Sequence, residues 1–489
     1  MPSLRNKAIS GASWSLTGRL LRQGVNFIVG ILLARLLLPE QYGLVGMATV
    51  FIYILFTFVD SGFNYALIQK SECTQADYST VFYINFVISL IAFIILYNSA
   101  PWISEFYNEP KLIKLVRVLS IVVILMAFTL VQRSIIIREV NYRLLARIEF
   151  FSQLLSGVIG IILAYTNFGV WALVWKILLN QLFINIQLWL MNKWKPSLVF
   201  SKNSFNQLFG FGSKILFSGI LQRIYIESYK LVVGKVYSSH ELGLFTRADQ
   251  FQKLPSSTVN NSILSVVFPI FSKMQNDPKR FKQALIKTIS IVMFYNFNAM
   301  VLLAIIAKPL IQVLLGEKWI GVIEYLQLLC AVGLFVPLQG LIMQTFSSKG
   351  KSGMYLINEI INKLLMIPAI FLGVLFSIKS MIFGMIISTL VSLFINIYYV
   401  NKLIDFKVRE LLKILFPSLR VVTLMGTVSL LMSHYFTDLV SPTILLILLI
   451  LVSLICIVLF SILLKVEAFF EIKKIIKEKI LVKLILKNP

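Results

Sequence analysis

Apolar runs of about twenty residues or more, separated by short stretches of charge, proline or glycine, recur from Gly11 to Leu464. A helix needs roughly 20 such residues to cross about 30 Å of hydrocarbon. Backbone groups in lipid must pair with one another, so runs of this kind fold as helices. The runs predict fourteen spans. The first six lie near 11–37, 43–63, 80–102, 112–132, 144–168 and 170–191. The other eight lie near 208–237, 242–271, 285–315, 319–346, 354–376, 381–400, 411–436 and 443–464. Composition agrees: 58% of the 489 residues are hydrophobic and 14% charged, and the mean hydropathy is +0.86. Soluble domains sit nearer 45 to 50% apolar. The expected class is an all-α integral membrane protein with no room for a sizeable aqueous domain.

Lys and Arg favour the cytoplasmic side of short loops, so their placement tests the span count. They occupy every second connection: Arg5 and Lys7; Lys70; Arg133, Arg138 and Arg143; Lys193, Lys195 and Lys202; Lys273, Lys279, Arg280 and Lys282; Lys349 and Lys351; Lys402, Lys407 and Arg409. The intervening connections, such as 39–42, 166–169, 238–241 and 434–441, are short and poor in both. An even number of spans with both termini cytoplasmic is expected. The first apolar run is interrupted by Arg19 and Arg22 and lacks a cleavage site, so it reads as a span and not a signal peptide. The net charge of +25 is spread over these loops, which insertion topology and anionic lipid explain without nucleic acid. The tail, 466–489, interleaves Phe469, Phe470, Ile475, Ile476 and Ile480 with Lys473, Lys474, Lys477, Lys479 and Lys483, a pattern suited to a helix lying on the inner leaflet.

Sliding the chain on itself by 200 residues sets Leu33-Ala34-Arg35 over Val233-Gly234-Lys235, and Gln41-Tyr42-Gly43-Leu44-Val45 over Glu241-Leu242-Gly243-Leu244-Phe245. A shift of 210 sets Glu149 over Glu359. These matches fall where a six-plus-six duplication would put them, and duplicated halves often frame a transporter's substrate site.

Several spans carry internal charge. Ser15, Arg19, Arg22 and Asn26 recur at four, three and four residues, which places them on one helical face. An arginine at mid-membrane costs about 2.5 to 3.5 kcal/mol on insertion scales, so this face should meet protein or water. Snorkelling from the cytoplasmic end is the alternative account, open to Arg19 but harder to apply to Arg22. Arg223, Glu227 and Lys230 repeat the arrangement on the seventh span, and Arg247, Asp249 and Lys253 follow on the eighth. Glu149, with Gln153 and Ser156 on its face, and Glu359, near Asn362 and Lys363, are ion-pair partners or coupling-ion sites, as are Glu227 and Asp249. Asp60, in Asp60-Ser61-Gly62, suits a cap or turn.

Other chemistry is missing. His240 and His434 are isolated loop histidines in this reading, and Cys73, Cys330 and Cys456 lie far apart, so neither a metal site nor a disulfide framework is expected. Gly350-Lys351-Ser352 ends like a phosphate loop, but the glycine required five residues earlier is Thr345. No cofactor, metal or catalytic residue is expected, and any driving force must come from a gradient or the membrane potential.

The N-terminal residues carry a more specific pattern: Trp14, then Ala34-Arg35-Leu36-Leu37-x-Pro39-Glu40-Gln41-Tyr42-Gly43, then Asp60-x-Gly62 and Ala66-Leu67-Ile68-Gln69. This resembles the polysaccharide transporter family of Wzx-like flippases, in the multidrug/oligosaccharidyl-lipid/polysaccharide exporter superfamily. The likeness covers almost the whole chain in span count, although its motifs lie mainly in the first seventy residues. It implies two pseudo-symmetric six-helix lobes around a central cavity, here 1–202 and 203–402, then an extra helix pair, 403–465, and the tail. It also implies a bacterial inner-membrane flippase that moves undecaprenyl-diphosphate-linked oligosaccharide to the outer leaflet by alternating access, for O-antigen, capsule or exopolysaccharide assembly. Membrane lipids, the glycan polymerase and the chain-length machinery would be its partners. A cationic cavity suits a diphosphate, and guanidinium groups bind phosphate bidentately. The candidate substrate-binding residues are therefore Arg19, Arg22, Arg223 and Lys230.

Three other classes stay open. An ion-coupled multidrug extruder would want an anionic or aromatic cavity; a membrane-embedded glycan polymerase or ligase would carry a long outer loop with catalytic residues. A non-transporting scaffold would need no charged span faces.

Overall fold

The computed structural model describes residues 4–60 and 62–474, and among these it is helical with no strand. The tail beyond residue 474 lies outside the described residues. Eleven helical stretches among the described residues are long and apolar enough to cross a membrane. Three further long helices, α1 (Leu4–Leu36), α9 (Lys202–Val236) and α10 (Ser239–Lys273), carry most of the internal charges noted above.

Packing divides the chain into two units, Met1–Thr246 and Arg247–Pro489. The first holds α1, α2 (Pro39–Asp60), α3 (Phe63–Gln69), α4 (Gln75–Tyr107), α5 (Leu112–Leu119), α6 (Ile121–Arg138), α7 (Tyr142–Tyr165), α8 (Val170–Met191) and α9. It also holds the first turns of α10. Within this unit α1 packs along α7, α7 along α8, and α2 against α9, α4 and α6. The helix starts are written locally. Thr74 and Asp77 form a reciprocal capping box at α4, Asn141 caps α7 through the Leu144 N–H, and Ser201 caps α9 through the Ser204 N–H.

The second unit holds α11 (Pro278–Ile305), α12 (Ala307–Leu314), α13 (Val322–Gly333), α14 (Val336–Ser348), α15 (Ser352–Leu364), α16 (Met366–Leu375), α17 (Ile378–Ile404), α18 (Val408–Phe436) and α19 (Pro442–Leu463). Here α11 packs on α18 and α13, α18 on α19, and α16 on α17. Asp277 and Ser441 cap α11 and α19, and a proline follows each at the first helical position, where its missing N–H costs nothing. The break between α13 and α14 has a chemical cause. Pro337 has no N–H for the Gly333 carbonyl four residues back. Asn296 Nδ2, on α11, donates instead to the carbonyls of Gly333 (3.0 Å) and Leu334 (2.7 Å).

The outward faces are apolar. On α19 the exposed residues Ile447, Leu451, Leu454, Ile455 and Val458 form a continuous greasy strip, while Ser453 turns inward to hydrogen-bond Ser429 of α18 at 2.8 Å. In water such a strip would be an aggregation site. In a bilayer it is the ordinary lipid face, and the buried hydroxyl pair ties neighbouring helices together. The chain is a multi-pass membrane protein.

One turn depends on glycine. Gly62 precedes α3 with φ of 69°, and a Cβ there would stand 2.3 Å from the Gly212 carbonyl oxygen on α9. Gly62→Ala should therefore cost about 1 to 3 kcal/mol in backbone strain and clash. A lowered unfolding temperature of the detergent-purified protein is the expected reading, and an unchanged one would refute the need for glycine.

Candidate functional site

The α1 and α7 backbones approach closely at two points along their length. A Cβ on Gly18 would sit 2.3 Å from Ala146 Cβ, and one on Gly157 would sit 2.6 Å from a Val29 methyl. The polar face of α1 is thereby pressed against that of α7. Arg22 Nη1 donates to Glu149 Oε2 at 2.9 Å, and Gln153 Nε2 donates to Asn26 Oδ1 at 3.1 Å, so two residues four apart on each helix meet rung by rung. Asn180 of α8 extends the ladder, donating to Gln153 Oε1 at 3.1 Å. The side chain of Ser15, the first member of the predicted face, lies outside the described residues.

Glu149 accepts a second cation. Arg133 Nη2 reaches its Oε1 at 2.6 Å, so one carboxylate, with its side chain 11% exposed, bridges arginines from α1 and α6 that are each a little under half exposed. A cavity of about 180 Å³ opens at this point, lined by Arg19, Arg22, Arg133, Glu149, Tyr142 and Gly18. Three guanidinium groups around one carboxylate leave the lining net cationic, with planar donors suited to phosphate oxygens.

Arg133 is the site residue that the sequence reading missed, because it was counted among the basic residues of a loop. The apolar run ends at Gln132, but α6 continues to Arg138 and carries Arg133, still partly exposed, up to the Glu149 carboxylate. The available signal was its position 16 residues before Glu149, in a connection too short to hold both helix ends far apart. Arg138, counted with it, donates to the carbonyls of Leu67, Lys70 and Ser71 and so closes the end of α3.

A second charged cluster lies on α9. Glu227 is 2% exposed, with Lys230 Nζ 3.0 Å and Arg223 Nε 3.5 Å from its carboxylate oxygens. The Arg223 guanidinium also stacks 4.3 Å from the centre of the Tyr53 ring on α2. All four predicted cations, Arg19, Arg22, Arg223 and Lys230, therefore belong to the first unit, in two clusters each organised by one glutamate. The remaining acids are paired within their own helices: Asp249 with Lys253 at 2.7 Å on α10, and Glu359 with Lys363 at 2.9 Å on α15. Asp60 accepts from Asn64 Nδ2 across the α2–α3 turn.

The two histidines are also placed differently from the loop reading. His434 lies in the last turn of α18, and His240 sits in the first turn of α10, where its Nδ1 is 2.7 Å from Glu40 Oε1. Glu40 and His240 are 200 residues apart, and so are two glycines beside them. A Cβ on Gly43 would lie 1.6 Å from the Ser239 carbonyl oxygen, and one on Gly243 would lie 2.0 Å from that of Pro39. Ser239 and Pro39 are themselves one such shift apart. The starts of α2 and α10 thus cross in a reciprocal contact, as a local two-fold relation would require.

Helical spans, cations paired with buried carboxylates between and along helices, and a matched pair of helix starts define a class of helical multi-pass membrane fold. Comparison with solved structures agrees. The fold is similar to that of the lipid II flippase MurJ in an inward closed conformation, with a TM-score of 0.74 at 16% identity, covering 94% of this chain and 99% of that one. It is also similar to that of an inward-facing multidrug resistance MATE family transporter of the MOP superfamily, with a TM-score of 0.61 at 16% identity, covering 80% and 98%. A family model described as polysaccharide biosynthesis protein matches residues 32–324, and the chain belongs to that family. Among curated proteins it is 25% identical to the teichuronic acid biosynthesis protein TuaB of Bacillus subtilis, over 72% of this chain and 73% of that one. It is likewise 25% identical to the lipopolysaccharide biosynthesis protein WzxC of Escherichia coli, over 76% of each. The succinoglycan biosynthesis transport protein ExoT of Rhizobium meliloti is 26% identical over 65% of each.

Proposed function

We propose that this chain is a flippase that carries undecaprenyl-diphosphate-linked oligosaccharide from the cytoplasmic to the outer leaflet of a bacterial inner membrane by alternating access. The glycan would enter O-antigen, capsule or exopolysaccharide assembly, with the polymerase and chain-length machinery taking over the flipped product. The observation that carries this reading is the cationic cavity around Glu149, inside the helical bundle of a chain from a polysaccharide biosynthesis family. Guanidinium groups of that kind suit a diphosphate and repel the cationic cargo of a multidrug-type extruder. Relatives that act in transport and biosynthesis of polysaccharides support the same reading over a polymerase or ligase.

In this reading α1, α9 and α10 also cross the bilayer, which with the eleven apolar stretches makes fourteen spans and leaves both termini cytoplasmic. The repeat divides the sequence near residue 202 into two six-helix halves, followed by the α18–α19 pair and the basic tail. That boundary marks where the pattern starts again, and the packing boundary at Thr246 marks where contacts divide.

The test is the Arg22→Ala, Arg223→Ala double variant, followed through surface glycan and through lipid-linked precursor facing the cytoplasm. Charge-assisted hydrogen bonds of about 1.5 to 3 kcal/mol each predict at least a tenfold loss of export and matching accumulation of precursor. Full export by a stably inserted double variant would overturn the assignment.

A further inference from the structure

A cationic recess in the second unit is lined by none of the charges discussed so far. After α19 the chain turns at Leu464–Lys465, with Lys465 in the left-handed region at φ of 49°, and resumes as helix over 467–474. Val466 and Ala468 of this segment are buried against Phe294 of α11 and Val421 of α18. The Phe469 ring lies 6.4 Å from that of Phe294, and Lys287 of α11 pairs with Glu471 at 2.8 Å. The segment thereby roofs a cavity of about 550 Å³ between α11 and α18.

Its charged lining is Lys287, Lys413, Arg420, Lys465, Glu467 and Glu471. Lys287 is matched by Glu471, and among the described residues no carboxylate pairs with Lys413, Arg420 or Lys465. Arg420 is the telling member. It lies twelve residues into α18, about 18 Å along the axis, and is flanked by the exposed apolar side chains of Phe416, Leu419 and Leu424. Its guanidinium rests 5.1 Å from the Phe416 ring centre. An exposed arginine on an otherwise greasy face costs about 2.5 to 3.5 kcal/mol if it meets hydrocarbon alone. An anion in the cavity removes that cost. Lys413 stands seven residues before Arg420 and so points to the same side.

The recess also offers groups for a hydroxyl. Pro417, in the lining, has no N–H to donate to the Lys413 carbonyl one turn back, and Ser290 of α11 supplies a hydroxyl on the opposite wall. Beside the opening, Leu412, Phe416 and Leu419 form an exposed apolar strip along which acyl chains would run.

We infer that this recess binds the headgroup of an anionic phospholipid of the phosphatidylglycerol type, with the phosphate held by Lys413, Arg420 and Lys465 and the glycerol hydroxyls near the Lys413 carbonyl and Ser290. The recess shares no lining residue with the cavity around Glu149, and the inference stands or falls without the proposed cargo. It gives the turn after α19 a task beyond resting on the membrane, which is to complete a lipid site.

The experiment is native mass spectrometry of the full chain released from nanodiscs of equal phosphatidylglycerol and phosphatidylcholine, with lipid adducts counted. Wild-type protein should retain phosphatidylglycerol in preference. Lys413→Gln with Arg420→Gln should cut that retention at least fivefold and leave phosphatidylcholine adducts unchanged, while Arg420→Lys should keep most of it. Should the double variant fail to fold, Lys465→Gln, in an exposed turn, should still lower retention measurably. The inference is overturned by no preference between the two lipids, by undiminished retention in the Lys413→Gln, Arg420→Gln variant, or by displacement of phosphatidylglycerol by undecaprenyl phosphate, which would assign the recess to the cargo's own lipid. Inorganic phosphate at millimolar concentration should not displace the lipid; if it does, the site reads a free anion and the inference fails.

Discussion

A Gly43→Val variant is expected to lose at least nine-tenths of glycan export while remaining folded and inserted. A Cβ at this position would lie 1.6 Å from the Ser239 carbonyl oxygen, 2.5 Å from its carbonyl carbon and 2.9 Å from its Cα. All three are backbone atoms, so no side-chain rotation relieves the clash. The starts of α2 and α10 would have to separate, breaking the 2.7 Å contact between Glu40 and His240. In the proposed orientation this crossing lies at the outer end of the helices, where alternating access requires closure while cargo loads from the cytoplasmic side. Cysteines introduced at Glu40 and His240 report on the crossing directly. Oxidation should link them efficiently in the otherwise unaltered chain and about tenfold less in the Gly43→Val background. Gly243→Val should act in the same direction, because its Cβ would meet Pro39 backbone atoms at 2.0 to 3.1 Å. Undiminished linkage together with normal export would show that the crossing plays no part in the cycle.

Replacing Glu149 with alanine is the other change expected to act strongly, by a different route. This carboxylate is the common acceptor for Arg22 of α1 and Arg133 of α6, at 2.9 and 2.6 Å. Removing one member of a fully buried pair costs about 3 to 5 kcal/mol. Here the arginines are close to half exposed, so solvent takes up part of the loss and about 2 kcal/mol is the expected cost. Glu149→Gln keeps the shape and one hydrogen-bond acceptor, and should fall between wild type and alanine in unfolding temperature. Export should drop with both, since the arginines lose the group that fixes their orientation. An alanine variant as heat-stable as the parent would mean that the bridge contributes nothing to holding α1 and α6 to α7.

The charge pattern around Glu149 shows how far the sequence could be read. The four-residue recurrence of Arg22 and Asn26, and of Glu149 and Gln153, marks one polar face on each of two helices. A face of that kind in an apolar span has to meet another polar group, and in the structure these two meet each other. Arg133 escaped the reading because helices extend past the apolar run that signals them, and hydropathy carries no information about where a charged last turn is packed. The glycines tell the same story. Gly43 and Gly243 stood out as matching positions in a repeat, but a glycine in sequence does not say which backbone approaches it. Likewise His240 looked isolated because its partner, Glu40, is 200 residues away.

The sequence alone determined the class, the positions of most helices and the faces on which charge lies. Those properties follow from local rules: the length of an apolar run against the bilayer, the 3.6-residue period, and caps such as Ser201, Asp277 and Ser441. Partner choice was left to tertiary structure. It set Arg133 beside Glu149, grouped α9 with the first unit, crossed α2 with α10 and folded the segment after α19 over Arg420. Each of these joins residues far apart in the chain. Which pairing wins there depends on the summed close packing of whole helices, as at Gly18 against Ala146, and not on the residues that finally touch.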